Sequence, residues 1–155
     1  MKYIIIKGSR SSGKAQTISA VCKRLKPEHI WKIHFSEGGR TDIQKVKPEV
    51  AEGVYVLTVR KKKVLVVSGA PTEHGKPISS IIESVSQLEL TIDFAIVAMR
   101  ALEKLKGFST AKELQNYGKC IYELKIWRIP SHHYQLTDEW DKRVSCLASI
   151  VLNHL

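Results

Sequence analysis

Short apolar runs alternate with amphipathic stretches along most of this chain. Residues 3–6 are a β-branched run that predicts a strand, and apolar residues then recur at helical spacing over 18–25. Pro27 marks the end of that helix, and the alternating residues 30–35 predict a half-exposed strand. Residues 40–52 are polar with weak periodicity, which predicts a loop with at most a short helix.

Two β-rich runs, residues 54–59 and 64–67, stand on either side of four consecutive basic residues. Runs this close predict an antiparallel hairpin with the basic residues at its tip. These residues, called here the basic tetrad, are Arg60, Lys61, Lys62 and Lys63. Charge at a tip also blocks unwanted strand pairing, so a solvated turn is favoured over nucleic-acid contact.

The second half of the chain continues the same alternation. An apolar stripe over residues 78–88 predicts a helix, and the unbroken apolar run 94–99 is typical of a strand covered on both faces. The remaining pattern predicts a helix over 109–117 capped by Ser109, a strand over 122–129, and a final helix capped by Thr137 or Asp138.

This order of elements predicts an α/β fold. Strands that alternate with helices favour a mostly parallel sheet, here with one antiparallel hairpin strand and with helices on both faces. The expected architecture is therefore a three-layer sandwich. Since the 155 residues show no repeat and no linker, we expect one domain over residues 1–155.

The composition bears on the cellular location of the protein and on its partners. No apolar run approaches the roughly 20 residues that span a membrane, and the N-terminus lacks the layout of a signal peptide. Three scattered cysteines, Cys22, Cys120 and Cys146, favour reduced thiols and a cytoplasmic location, with Cys22 and Cys146 expected in the core. The net charge of +10 makes nucleic acid a conceivable partner, but the dispersed lysines favour a merely soluble basic surface. The oligomeric state is not indicated.

A glycine-flanked loop follows the first strand and precedes the first helix. Its residues are Gly8, Ser9, Arg10, Ser11, Ser12, Gly13 and Lys14. Glycines let backbone N–H groups converge on a phosphate, the helix N-terminus adds a positive dipole end, and Lys14 can reach the outer phosphates. Ala15 stands where this motif has a Ser or Thr that binds Mg²⁺.

Ligands in open α/β sheets bind beyond the carboxyl ends of the strands. Arg100 follows a buried strand there and could clamp a phosphate, while Glu37 follows the second strand and could act as a base or hold a metal. Ser68, Glu73 and His74 follow the hairpin. Asp93 precedes its strand and is expected on the opposite rim.

The sequence does not decide which residues, if any, would bind Mg²⁺. An acidic residue at a strand end usually helps to position the ion, and Ser68 stands at the corresponding strand end here. Thr17 lies almost one helical turn beyond Lys14 and is poorly placed to replace the missing hydroxyl. Glu37 or Glu73 could hold the ion through water.

With these residues in place, the chain resembles the P-loop NTPase superfamily, specifically small single-domain ATP-binding proteins of bacterial and phage type with a degenerate Walker A motif. The resemblance rests on residues 4–14, 54–68 and 94–100 and covers about the first two-thirds of the chain. It implies a P-loop NTPase-like fold in which Lys14 and the backbone of residues 9–15 hold the β- and γ-phosphates. The metal-binding hydroxyl of the family maps onto Ala15, and its acidic strand-end residue maps near Ser68.

The leading hypothesis is the binding of a purine nucleoside triphosphate, ATP or GTP, with weak hydrolysis or phosphotransfer as an open question. Lys14, Arg100 and Glu37 are the candidate catalytic residues. The alternative is a non-catalytic module whose basic surface binds nucleic acid or an acidic partner. A kinase for a small metabolite, with Glu37 or Glu73 as base, ranks third.

Overall fold

Seven strands form one mixed sheet in the computed structural model, which describes residues 1–36, 41–46 and 49–155. The strands are β1 Lys2–Gly8, β2 His29–Phe35, β3 Thr41–Lys45, β4 Gly53–Val59, β5 Lys62–Ser68, β6 Phe94–Arg100 and β7 Lys119–Lys125. The helices of the described residues are α1 Lys14–Arg24, α2 Pro71–His74, α3 Ile78–Ser86, α4 Thr110–Leu114 and α5 Asp138–Asn153, with a 3₁₀ turn at Tyr134–Leu136. The α/β class is confirmed.

The strand order is β3-β2-β4-β5-β6-β1-β7. β5, β6, β1 and β7 pair in parallel, whereas β4 is antiparallel to both β5 and β2, and β3 is antiparallel to β2. The prediction of one antiparallel strand was therefore wrong, because β3 also runs against the parallel set. β3 lies within the stretch predicted as a loop. Its five residues are almost all exposed at the sheet edge, so backbone pairing with β2 holds it without an apolar pattern.

Helices cover both faces of the sheet. On one face, Ile18 of α1 and Leu147 of α5 join a buried cluster with Ile4 and Ile6 of β1. On the other face, α3 and α4 pack their apolar side chains against Tyr3, Ile5 and neighbouring strands. Within the described ranges, no helix combines the length and apolarity needed to cross a membrane. The alternating side chains of β1 thus enter two separate cores.

The two neighbours of β1 decide what lies beside its carboxyl end. β6 flanks β1 on one side and the edge strand β7 on the other, with Gly8 in register with Arg100. The Ile126 N–H donates to Lys7 O just beyond β7. The loop after β1 therefore emerges between the segments that follow β6 and β7.

Some helices and strands begin or end at other residues than the sequence periodicity predicts. β7 ends at Lys125 rather than continuing to residue 129, because Ile126 and Ile129 leave the sheet and are buried in the core beneath α5. α2 is a short helix within a stretch predicted as a loop, and α4 ends three residues earlier than predicted. Thr137 caps α5 by accepting a hydrogen bond from the Trp140 N–H, as one of the two predicted caps.

The cysteines divide between core and surface. Cys22 is buried, as predicted, and desolvation raises the pKa of its thiol to about 12. Cys146 was expected in the core, but it is exposed because the buried stripe of α5 runs along a different face of the helix. Cys120 is also exposed, and partial desolvation followed by the Glu123 charge raises the pKa of its thiol.

Native thiol labelling should therefore give two reactive cysteines. We expect Cys120 and Cys146 to react with a disulfide reagent at pH 8, with Cys22 reacting only after denaturation, because the reactive thiolate is suppressed by burial. Absorbance of the released thiol measures both stages, and Cys22→Ala identifies the slow group. Three rapid equivalents in the native protein would contradict this packing of α1.

Candidate functional site

The loop between β1 and α1 requires glycine at both ends. A Cβ added to Gly8 would collide with Ser12 Oγ and lie 3.0 Å from Ile126 O. Gly13, the residue before α1, has a φ of 94°, in the left-handed region that side chains disfavour. Ser11 also has a positive φ of 61°. The tight reversal thus places the next residue, Lys14, at the start of α1.

Lys14 is almost fully buried, with 5% of its side chain exposed. Its ammonium donates to the backbone carbonyl oxygens of Gly8, at 3.2 Å, and Ser9, at 2.9 Å. The third partner is Glu73 Oε1, at an ion-pair distance of 3.8 Å. Two of the three N–H donors of the ammonium therefore have hydrogen-bond acceptors, and Glu73 adds an ion pair.

Glu73 joins two cations from different strands. Arg100, at the end of β6, donates from Nε to Glu73 Oε1 at 2.9 Å. The other carboxylate oxygen accepts the Ala70 N–H at 3.2 Å, which caps the start of α2. Both Lys14 and Arg100 are therefore brought to one carboxylate. The sequence identified each of the three residues near a strand end, but nothing in it indicated their contact.

The electrostatic balance at Lys14 is dominated by burial. Desolvation lowers the pKa of its ammonium, whereas the Glu73 charge opposes that shift. Arg100 adds to the lowering, and Glu52 opposes it more weakly. The buried cation is thus held against a net unfavourable environment.

A cleft of about 1120 Å³ opens beside α1. Arg10, Ser11 and Gly13 of the loop, with Lys14, Glu73 and Arg100, belong to its lining. The lining also includes the apolar side chains of Ala20, Ile30, Val50 and Trp140. The predicted loop and the predicted strand-end arginine therefore share one concave surface.

Buried hydroxyl groups without partners concentrate behind this cleft. Among the described residues, the buried side-chain oxygens or nitrogens that lack a hydrogen-bond partner are Ser12 Oγ, Ser68 Oγ and Thr72 Oγ1. Each residue is the sequence neighbour of a residue that lines the cleft. Buried polar groups are normally satisfied, so three exceptions at one rim indicate a site adapted to a polar ligand.

The donor set for a metal ion is sparse. Ala15 contributes no side-chain oxygen, and the Thr17 hydroxyl lies 3.5 Å from Arg143 Nη1. Ser68 is fully buried at the end of β5. No group of three or more His, Cys, Asp or Glu side chains suited to a metal occurs in the part of the chain that the structure describes. Glu37 lies outside the described residues.

The basic tetrad lies away from the cleft, at the end of the sheet where β5 begins. Arg60 and Lys61 form the hairpin turn with positive φ, and Lys62 and Lys63 belong to β5. Arg60 Nη1 donates to the Leu152 carbonyl oxygen at 3.3 Å. Asp93 accepts the Lys63 N–H at 2.9 Å, so it lies on the rim opposite the cleft, as predicted.

Comparisons with protein-family models, with curated proteins and with solved structures found no match to this chain.

Burial of Lys14 should leave a signature in the pH dependence of stability. Because the folded-state pKa is lowered, the unfolded state binds more protons between that pKa and the ordinary value of 10.5. The free energy of unfolding, relative to that of Lys14→Met, should rise with pH through this window. Urea titrations from pH 7 to 10.5 measure the difference, with Lys112→Met on exposed α4 as the matched control. A difference that stays flat, or falls, would contradict the burial of a charged Lys14.

Proposed function

We propose that this protein binds a purine nucleoside triphosphate, with ATP the first candidate, in a three-layer fold of P-loop NTPase type. The observation that carries the proposal is the buried ammonium of Lys14 at the first position of α1, with Arg100 close by on the next strand. A buried cation at a helix N-terminus, facing a cleft, favours an anionic ligand.

The backbone around Lys14 suits a phosphate. The first N–H groups of α1 have no partner within the helix, Gly13 supplies no side-chain cap, and the first turn carries no acidic residue. The partly positive N-terminus of α1 therefore meets no acidic side chain from its own first turn.

Two cations supply the charge that a polyphosphate needs. Lys14 would hold the β- and γ-phosphates together with the amides of residues 9–15. Arg100, one third exposed, can offer its guanidinium fork to a terminal phosphate. Arg10, exposed on the cleft wall, is a peripheral contributor.

The rest of the cleft suits a nucleoside. Its volume of about 1120 Å³ lies slightly above the range of about 300 to 1,000 Å³ typical of small-molecule pockets. Ile30, Val50 and Trp140 contribute apolar side chains to its lining. Cationic and apolar side chains within one cleft match the two chemical halves of a nucleotide.

The residues do not fit a protein-held magnesium ion. Ala15 lacks a ligand oxygen, and the Glu73 carboxylate is already bound to Lys14, Arg100 and the Ala70 N–H. The proposed function is therefore nucleotide binding and does not include hydrolysis. The positive charges of Lys14 and Arg100 would neutralise the phosphates.

Calorimetric titration with ATP, GTP and their diphosphates tests the proposal. We expect micromolar binding that Lys14→Ala weakens at least about 30-fold, since one buried charge-assisted contact contributes roughly 2 kcal/mol. Arg100→Gln should reduce affinity for triphosphates more than for diphosphates. The control Lys112→Ala removes the same charge from the opposite face of the sheet and should leave affinity unchanged.

Removal of magnesium with a chelator should leave ATP binding within about threefold, because the site has too few ligands for the ion. Loss of binding on chelation would mean that the chain does hold the metal. Absence of binding at millimolar nucleotide, or equal affinity of the wild type and Lys14→Ala, would overturn the proposed function.

A further inference from the structure

The cation that a phosphate would bind already has a counter-ion. Lys14 Nζ donates hydrogen bonds to two backbone carbonyl oxygens of its own loop, and Glu73 Oε1 lies 3.8 Å away, at ion-pair distance. The carbonyl oxygens of Gly8 and Ser9 are anchored in the chain. A phosphate oxygen can therefore reach the Lys14 ammonium most directly by replacing the Glu73 carboxylate.

The surroundings of that carboxylate are those of a bound phosphate. It lies between the Lys14 ammonium and the Arg100 guanidinium and accepts a backbone N–H from Ala70. Carboxylate and phosphate are recognised by the same donors, namely ammonium, guanidinium and backbone N–H groups. Glu73 thus satisfies at once both cations that the proposed function assigns to the nucleotide.

We propose that Glu73 is an autoinhibitory lock, a carboxylate that occupies the place of a terminal phosphate between Lys14 and Arg100 and that the nucleotide must displace. This inference rests on the proposed function and adds its regulation. In the empty site, Glu73 compensates the positive charges of Lys14 and Arg100, so that weakly binding anions do not enter. Only a ligand with several phosphates, which gains other contacts along the loop, replaces the carboxylate.

Displacement has a structural consequence at α2. Glu73 Oε2 accepts the Ala70 N–H, so removal of the carboxylate also removes the cap of this four-residue helix. Ala70 follows Gly69, which lines the cleft with a φ of 92°. Binding in the cleft therefore loosens the start of α2, and the Ala70 amide reports it.

Glu73→Gln tests the lock because it removes the charge and keeps the shape. Affinity for ATP is measured by calorimetry in a chelator and compared with Glu83→Gln. Glu83 is exposed on α3, on the face of the sheet opposite α1, and it does not line the cleft. We expect Glu73→Gln to bind about 10- to 100-fold more tightly, the range of one charge-assisted hydrogen bond, and Glu83→Gln to change affinity less than about threefold.

Hydrogen exchange gives a second readout in the unmodified protein. Saturating ATP should accelerate exchange of the Ala70 amide at least fivefold, since its acceptor is withdrawn. Slower exchange at Ala70 on binding would overturn the lock, because it would mean that Glu73 stays in place beside the nucleotide.

The outcomes separate the lock from the proposed function. Equal ATP affinity in wild type and Glu73→Gln, both dependent on Lys14, would overturn the lock and leave nucleotide binding intact. Weaker binding by Glu73→Gln would also overturn it, by making Glu73 a ligand contact. Tighter binding of inorganic tripolyphosphate by Glu73→Gln, with no binding of ATP by either protein, would support the lock and overturn the nucleotide. Failure of both proteins to bind either probe would overturn both.

Discussion

The buried ammonium of Lys14 is the constraint on which the rest of the site depends. A charge removed from water is costly unless it is paired and hydrogen-bonded. The compensation here comes from three places: the end of β1 at Gly8, the loop at Ser9, and the segment after β5 at Glu73. The local backbone, the strand order and the placement of α2 are therefore all coupled through one side chain.

The strand order brings these pieces together. β6 lies between β1 and β5, and all three run in parallel, so their carboxyl ends form one rim. Register sets Gly8 beside Arg100, and the chain that leaves β5 passes on to α2 and Glu73. Ligands in open α/β sheets bind at such a rim because loops there can approach one another while the sheet beneath stays rigid. The cleft occupies that position.

Charge is balanced within the site. Lys14 and Arg100 carry like charges at the same rim of the sheet, and the Glu73 carboxylate offsets both. An anionic ligand would offset the same two positive charges and would therefore compete with the Glu73 carboxylate. Under the proposed lock, the empty protein is stabilised at the expense of ligand affinity, and exchange of the carboxylate for a phosphate removes the cap of α2.

The local sequence pattern predicted most elements of the fold and two of the residues at the candidate site, Lys14 and Arg100. The strand at β1, the glycine-flanked loop, the helix after it and the hairpin of β4 and β5 follow from periodicity and turn chemistry, which are properties of consecutive residues. β3 could not be predicted because pairing at a sheet edge requires only backbone groups. The burial of Cys146 was predicted wrongly because helical spacing alone did not settle which face of α5 is buried.

Lys14 and Arg100 could be identified from the sequence because the loop type marks the first and a strand end marks the second. Their meeting at Glu73 could not, since it depends on which strands are neighbours and in what register, and long-range packing decides that. The sequence by itself determined a glycine-flanked loop between a strand and a helix of an α/β fold. Only the tertiary structure decided that the Glu73 carboxylate lies between Lys14 and Arg100.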